Sequence, residues 1–171
     1  MIITTDASMF GIGGIISKGG KIQAYFRDEI TEIDEEVLDR KKLTNEGQQA
    51  WEGLAMLVAL RTWALLWKQR RVRLLVRGDN NGALAALSAL KGKGSLTVIA
   101  QEFALDIGDS EFVPAGFLHI PGVSNVISDA LSRYSDPKKQ PWQLPVQLRH
   151  LERTALEKRT RDWWKTLRLA G

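Results

Sequence analysis

Asp6, Glu52, Asp79 and Asp129 are the residues whose types and spacing point most directly to chemistry. Each stands where a regular element begins or ends. Asp6 closes the apolar start Met1-Ile2-Ile3-Thr4-Thr5, and Glu52 opens the apolar run Leu54-Ala55-Met56-Leu57-Val58-Ala59-Leu60. Asp79 follows the strand-like Val72-Arg73-Leu74-Leu75-Val76-Arg77, and Asp129 lies ten residues after His119. Four carboxylates brought together would repel one another unless divalent cations sat among them. Such a cluster is suited to two-metal cleavage of phosphodiesters. Each acid also has a plainer use. Asp6 could form a turn, and Asp79 with Asn80 could cap a helix. Glu46 competes with Glu52, which is preferred because it immediately precedes the apolar run.

The elements that must position these acids follow from periodicity and turn chemistry. Residues 1–6, 9–17 and 22–27 read as three strands, the last two joined by a hairpin turn at Lys18-Gly19-Gly20-Lys21. Residues 28–45 are polar and acidic, a loop with room for a short helix. Residues 46–68 read as a long helix with Asn45 as cap and Gln48 in capping-box position, its apolar residues on one face. Residues 72–77 make a fourth strand, and Asp79 caps a helix over 81–90. Lys91-Gly92-Lys93-Gly94-Ser95 breaks the chain before a helix over 96–107. Residues 112–120 form a fifth strand, with Pro114 and Gly116 marking an edge or bulge. A helix over 125–134 follows. Three hairpin-linked strands and then helix-linked strands imply an α/β fold, a mixed sheet with helices on its faces.

Composition bounds the rest. Hydrophobic residues make up 44% and charged residues 26% of 171, an ordinary globular chain with material for a core. There is no Cys, which excludes disulfides, thiolate zinc sites and cysteine nucleophiles and is compatible with an intracellular setting, compartment open. No apolar run approaches the roughly 20 residues of a membrane span. The domain reading is a unit over 1–134, a Pro-containing linker over 135–147, and a basic tail or helix over 148–171 carrying Trp163 and Trp164. The first strand starting at Met1 suggests a domain excised from a longer polyprotein or a compact free-standing protein. The net charge of +4 lies wholly in residues 149–171, seven basic groups against three acidic. Such a tail suits phosphate binding, with a solvated helix face as the alternative.

Three segments carry a family resemblance over residues 1–134. They are Thr5-Asp6-Ala7-Ser8 with the Gly-rich strand after it, Glu52-Gly53-Leu54-Ala55 through Trp63, and His119-Ile120-Pro121-Gly122 through Asn125 to Asp129-Ala130-Leu131-Ser132-Arg133. Together they resemble ribonuclease H, and most closely the ribonuclease H domain of gypsy-type LTR retroelement polyproteins. The resemblance implies a ribonuclease H-like five-stranded mixed sheet, order 3-2-1-4-5, with helices on both faces. It implies Asp6, Glu52, Asp79 and Asp129 as ligands of two Mg²⁺ ions, with Mn²⁺ able to substitute. It places His119 as a mobile histidine that shuttles protons or assists product release, and Ser8, Asn80 and Asn125 at the nucleic-acid backbone. The implied substrate is an RNA–DNA hybrid, whose RNA strand is selected through its 2′-hydroxyls. The implied partner is a reverse transcriptase domain of the parent polyprotein.

The sequence departs from this pattern in two ways. Ser128 stands where the retroelement motif has Ala, and only Lys91 and Lys93 occupy the place of a basic insertion between the middle helices. The neutral core and missing polymerase keep a second reading open: a domesticated fragment serving as a nucleic-acid-binding or scaffold subunit of a larger ribonucleoprotein. A third, an integrase- or exonuclease-type member of the superfamily, fits the 119–133 segment poorly.

Overall fold

The computed structural model describes residues 1–67 and 70–170. Its sheet has five strands, β1 (Ile2–Ser8), β2 (Gly11–Lys18), β3 (Lys21–Glu29), β4 (Leu75–Gly78) and β5 (Gly116–His119), in the order β3-β2-β1-β4-β5. β1, β2 and β3 pair antiparallel, while β4 lies parallel to both β1 and β5. The β2–β3 turn is made by Gly19 and Gly20, both with positive φ (58° and 79°). Only glycine adopts that pair without steric cost.

The pleat sends alternate side chains to opposite faces. On one face, Ile3, Ile12, Ile16 and Phe26 pack against α2 (Gln48–Thr62), with α1 (Glu32–Leu38), α3 (Asn81–Ala89) and α4 (Ser95–Ser110) around it. On the other, Ile15 and Tyr25 meet Leu131 of α5 (Val126–Ser132). α5 lies directly on the strand there: a Cβ on Gly13 would collide with that of Leu131 and come within 2.9 Å of the Ser132 nitrogen. The expected order and two-faced helix packing are both present.

Several element ends differ from the sequence reading. α2 stops at Thr62 and is followed by a 3-10 turn at Ala64–Leu66; its expected end at Lys68 lies outside the described residues. α2 is also not one-faced. Every residue from Ala50 to Leu60 is buried, because α4 and the C-terminal segment cover its outer side, as befits a helix apolar all round. Asn45 does not cap it; Gly47 precedes α2 with no side-chain cap. α1 does carry a capping box, with the Thr31 hydroxyl accepting from Asp34 N–H at 3.1 Å and the Asp34 carboxylate accepting from Thr31 N–H at 2.9 Å. β5 begins four residues later than expected, at Gly116. Pro114 has no N–H to give the ladder, and Phe112 stacks on Trp67 instead, centroids 5.5 Å apart.

The C-terminal segment is not one long helix. It has a 3-10 turn at Val146–Leu148, another at Arg161–Trp163, and a short α6 (Lys165–Ala170). Trp142, Leu144, Leu148 and Leu151 pack on the α5 face of the sheet. The chain then crosses the outer edge of β3, where Arg153 bridges Tyr25 and Thr154 N–H donates to the Tyr25 carbonyl at 2.8 Å. Beyond the edge, Leu156, Trp163 and Trp164 enter the core on the α2 face. The segment thus covers an edge that would otherwise offer unpaired backbone groups.

Two guanidiniums fasten it, Arg159 buried and Arg61 partly buried. Arg159, 3% exposed, donates to Asp34 (2.9–3.1 Å), to Asp28 (2.8 Å) and to the Glu29 carbonyl (2.8 Å). Burial works against its charge, but the two carboxylates overcome this and its pKa is raised. Arg61 binds Glu102 (2.5 Å), Asp106 (2.9 Å) and the Trp163 carbonyl (3.0 Å). Lys165 pairs with Asp106 (2.7 Å) and Asp109 (2.6 Å), and Arg161 with Glu36 (2.9 Å). Three of the tail's seven basic groups, Arg159, Arg161 and Lys165, are therefore engaged internally, which reduces what the tail can offer to phosphate.

Candidate active site

Strand register brings the first acids together. β1 and β4 run parallel, and their last paired residues are Thr4 and Arg77. Asp6 and Asp79 each lie two residues further on, so both emerge at the same end of adjacent central strands. Glu52 reaches them from the second turn of α2. One oxygen from each of Asp6, Glu52 and Asp79 lies within 4.8 Å of the others.

Glu52 is held asymmetrically. Its Oε1 accepts from Ala7 N–H at 3.1 Å and from the Gln48 amide at 2.9 Å. Its Oε2 is buried and accepts no hydrogen bond among the described residues. A buried carboxylate oxygen without a donor is costly, and in a cluster of acids a cation is the natural partner. The residues therefore fit a divalent metal: hard oxygen donors, clustered, with one buried oxygen unused.

The electrostatics agree. Burial first, then the charges of Asp79 and Asp129, push the Asp6 carboxyl up to about 7, although hydrogen bonding with Glu52 pulls the other way. Burial, with Asp6 and Asp79, also raises Glu52 well above the usual carboxylate range. An acid whose folded-state pKa is raised stabilises the fold fully below its unfolded pKa and loses that contribution as pH rises through the folded value. For Asp6 the window runs from 3.8 to about 7. In EDTA the melting temperature is therefore expected to fall between pH 5 and pH 8, by roughly 4–8 °C for a loss on the order of 2 kcal/mol. Added Mn²⁺ should restore more at pH 8 than at pH 5. A metal-free melting temperature flat over this range would refute the stored repulsion.

The other expected site residues are placed as follows. Asp129 stands beside Asp6 on α5 but outside the group of three, and its Oδ1 is paired with Arg133 at 3.0 Å. His119 is exposed at the end of β5, paired in register with Gly78 next to Asp79. Asn80, not Asp79, caps α3, its Oδ1 accepting from Ala83 N–H at 2.9 Å. Ser8 and Asn125 are both 3% exposed and join β1 to α5. The Ser8 hydroxyl donates to the Ser132 carbonyl at 2.8 Å, and the Asn125 amide to the Thr5 carbonyl at 2.9 Å. Gly122 lets the Gly122–Ser124 turn pass close to Asp79; a Cβ there would sit 3.1 Å from Asp79 Oδ2. Sequence reading missed Gln48 and Arg133 as site neighbours. Both stand four residues from an acid on the same helix, a spacing that faces side chains together.

No known family's sequence pattern matches the chain, and none of the curated proteins matches it. Solved structures do. One is LC11-RNase H1 in complex with an RNA/DNA hybrid, 20% identical, covering 76% of this chain and 91% of that one, with a TM-score of 0.58. Another is RNase H1 from the halophilic archaeon Halobacterium salinarum NRC-1, 21% identical, covering 76% and 92%, with a TM-score of 0.52. The fold is thus ribonuclease H-like, a mixed five-stranded sheet with the acids at the end of its central strands.

Proposed function

We propose that this chain is a metal-dependent endoribonuclease that cuts the RNA strand of RNA–DNA hybrids, derived from a gypsy-type retroelement. The observation that carries the reading is the Asp6–Glu52–Asp79 group, gathered within 4.8 Å at the end of the central strands of a ribonuclease H-like sheet. The neighbour solved with an RNA/DNA hybrid supports the substrate class. The retroelement origin rests on the segments around Asp6, Glu52 and Asp129.

Asp6, Glu52 and Asp79 would hold the cations, Mg²⁺ or Mn²⁺, with Asp129 completing the set when Arg133 yields its oxygen. Two bound cations supply Lewis acidity at the scissile phosphate. The rigid strand ends keep the carboxylates in place. His119, exposed beside them, is positioned to carry a proton to or from solvent. Asn80 stands at the rim next to Asp79 and is the expected backbone contact. Residues 1–134 form the catalytic unit in this reading, with 148–171 as a structural strap.

A second reading has its own support. The strap's internal ion pairs and the neutral remainder favour weak unaided affinity for nucleic acid. That suits a scaffold or binding subunit of a ribonucleoprotein, or a domain relying on an attached reverse transcriptase. The test is cleavage of end-labelled RNA–DNA, RNA–RNA and DNA–DNA duplexes with Mg²⁺, Mn²⁺ or EDTA. Metal-dependent cutting confined to RNA in the hybrid is the expected result. A folded chain that cuts none of them would favour the scaffold.

A further inference from the structure

The parallel pairing of β4 on β1 ends at Thr4 and Arg77, which leaves the edge of β1 open beyond that point. Both backbone groups of Ala7 on this edge are satisfied by side chains of α2. The Gln48 amide donates to the Ala7 carbonyl at 2.7 Å, and Ala7 N–H donates to Glu52 Oε1 at 3.1 Å. Gln48 also donates to Glu52 Oε1 at 2.9 Å. The three groups close a ring in which Oε1 receives two hydrogen bonds. Oε2 is left buried and accepts no hydrogen bond among the described residues, in the group with Asp6 and Asp79. Without Gln48, Oε1 would keep a single donor and the carboxylate would be free to turn about its Cγ–Cδ bond, swinging Oε2 away from Asp6 and Asp79.

We propose that Gln48 is a positioning residue for Glu52, holding Oε1 so that Oε2 is presented to a metal shared with Asp6 and Asp79. The inference rests on the metal-site reading above. Residues that orient a ligand from behind typically change metal affinity by about 10–100-fold when removed. A side chain that merely ties α2 to β1 would change stability and leave metal affinity alone.

The experiment is titration of the EDTA-stripped protein with Mn²⁺, following free Mn²⁺ by electron paramagnetic resonance, for the wild type, Gln48→Met and Glu52→Gln. Gln48→Met keeps length and helix propensity but removes the donor. Its Mn²⁺ affinity is expected to fall about tenfold or more, and Glu52→Gln at least as far. In hybrid cleavage, the Mg²⁺ concentration for half-maximal rate should rise by a similar factor with an unchanged KM for the hybrid. Gln48→Ala removes the same donor without added bulk and covers the case in which Met does not fit. A Gln48 variant that binds Mn²⁺ as tightly as the wild type, whatever its melting temperature, would overturn the proposal. Should the wild type bind no Mn²⁺, or Glu52→Gln bind as well as the wild type, the metal-site reading itself fails and this inference falls with it.

Discussion

Asp6→Asn is expected to lower hybrid cleavage on the order of 10³-fold while raising the melting temperature of the metal-free protein at pH 8, above the Asp6 pKa of about 7, by a few degrees. The two effects share one cause. Asp6 is 4% exposed and packed against other acids, so burial and like charges lift its carboxyl to about 7. Replacing the carboxylate by a neutral amide removes that repulsion and also removes a metal ligand. A bound cation contributes several kcal/mol to a phosphoryl transition state, and each 1.36 kcal/mol is about tenfold in rate. The opposite signs set this variant apart from a general folding defect, which would lower both. Cleavage within tenfold of the wild type would show that Asp6 is not a ligand. A lowered metal-free melting temperature would show that the site stores no repulsion.

Arg159→Met should be strongly destabilising, although it removes a charged side chain and not an apolar one. Arg159 and Asp34 side chains are 1% and 0% exposed, and Asp34 also closes the capping box of α1. Removing one partner of a buried pair leaves an uncompensated charge and costs about 3–5 kcal/mol. For a chain of this size that is roughly a 6–20 °C fall in melting temperature. Arg159→Met combined with Asp34→Asn should cost less than Arg159→Met alone, because the stranded charge is gone and Asn can still serve the cap. Thermal melts of the three proteins decide it. A loss under about 1 kcal/mol would place Arg159 with ordinary surface pairs.

Much of this was legible because it is written in local patterns. Strand alternation, the Lys18–Lys21 turn and the buried run of α2 locate the sheet and its main helix. Asp6 could be seen to close an apolar strand and Asp79 to follow one, and parallel pairing makes such residues neighbours. The course of residues 135–170 was not legible. Trp142, Leu148, Arg159 and Trp163 each insert separately into a different part of the surface, with no shared period to read. Nor was the all-round burial of α2, since part of what covers its outer side is that same aperiodic segment. The pairing of Asp129 with Arg133 and the Gln48 ring show a further limit. Helical spacing says which side chains can meet, but only the fold says which hydrogen bonds they then choose.

The Arg159–Asp34 contact joins residues 125 positions apart, and Trp163 and Trp164 complete a core whose first strand is Ile2–Ser8. Contacts of such sequence separation require a large loop to close before they return any free energy. As the chain is synthesised, the sheet and α2 emerge long before the residues that seal the β3 edge and the outer side of α2. Until then a strand edge and a buried helix stand open to other chains. Closure of this core accordingly waits on residues 156–164, and a chain halted before Arg159 is expected to leave both surfaces exposed to aggregation.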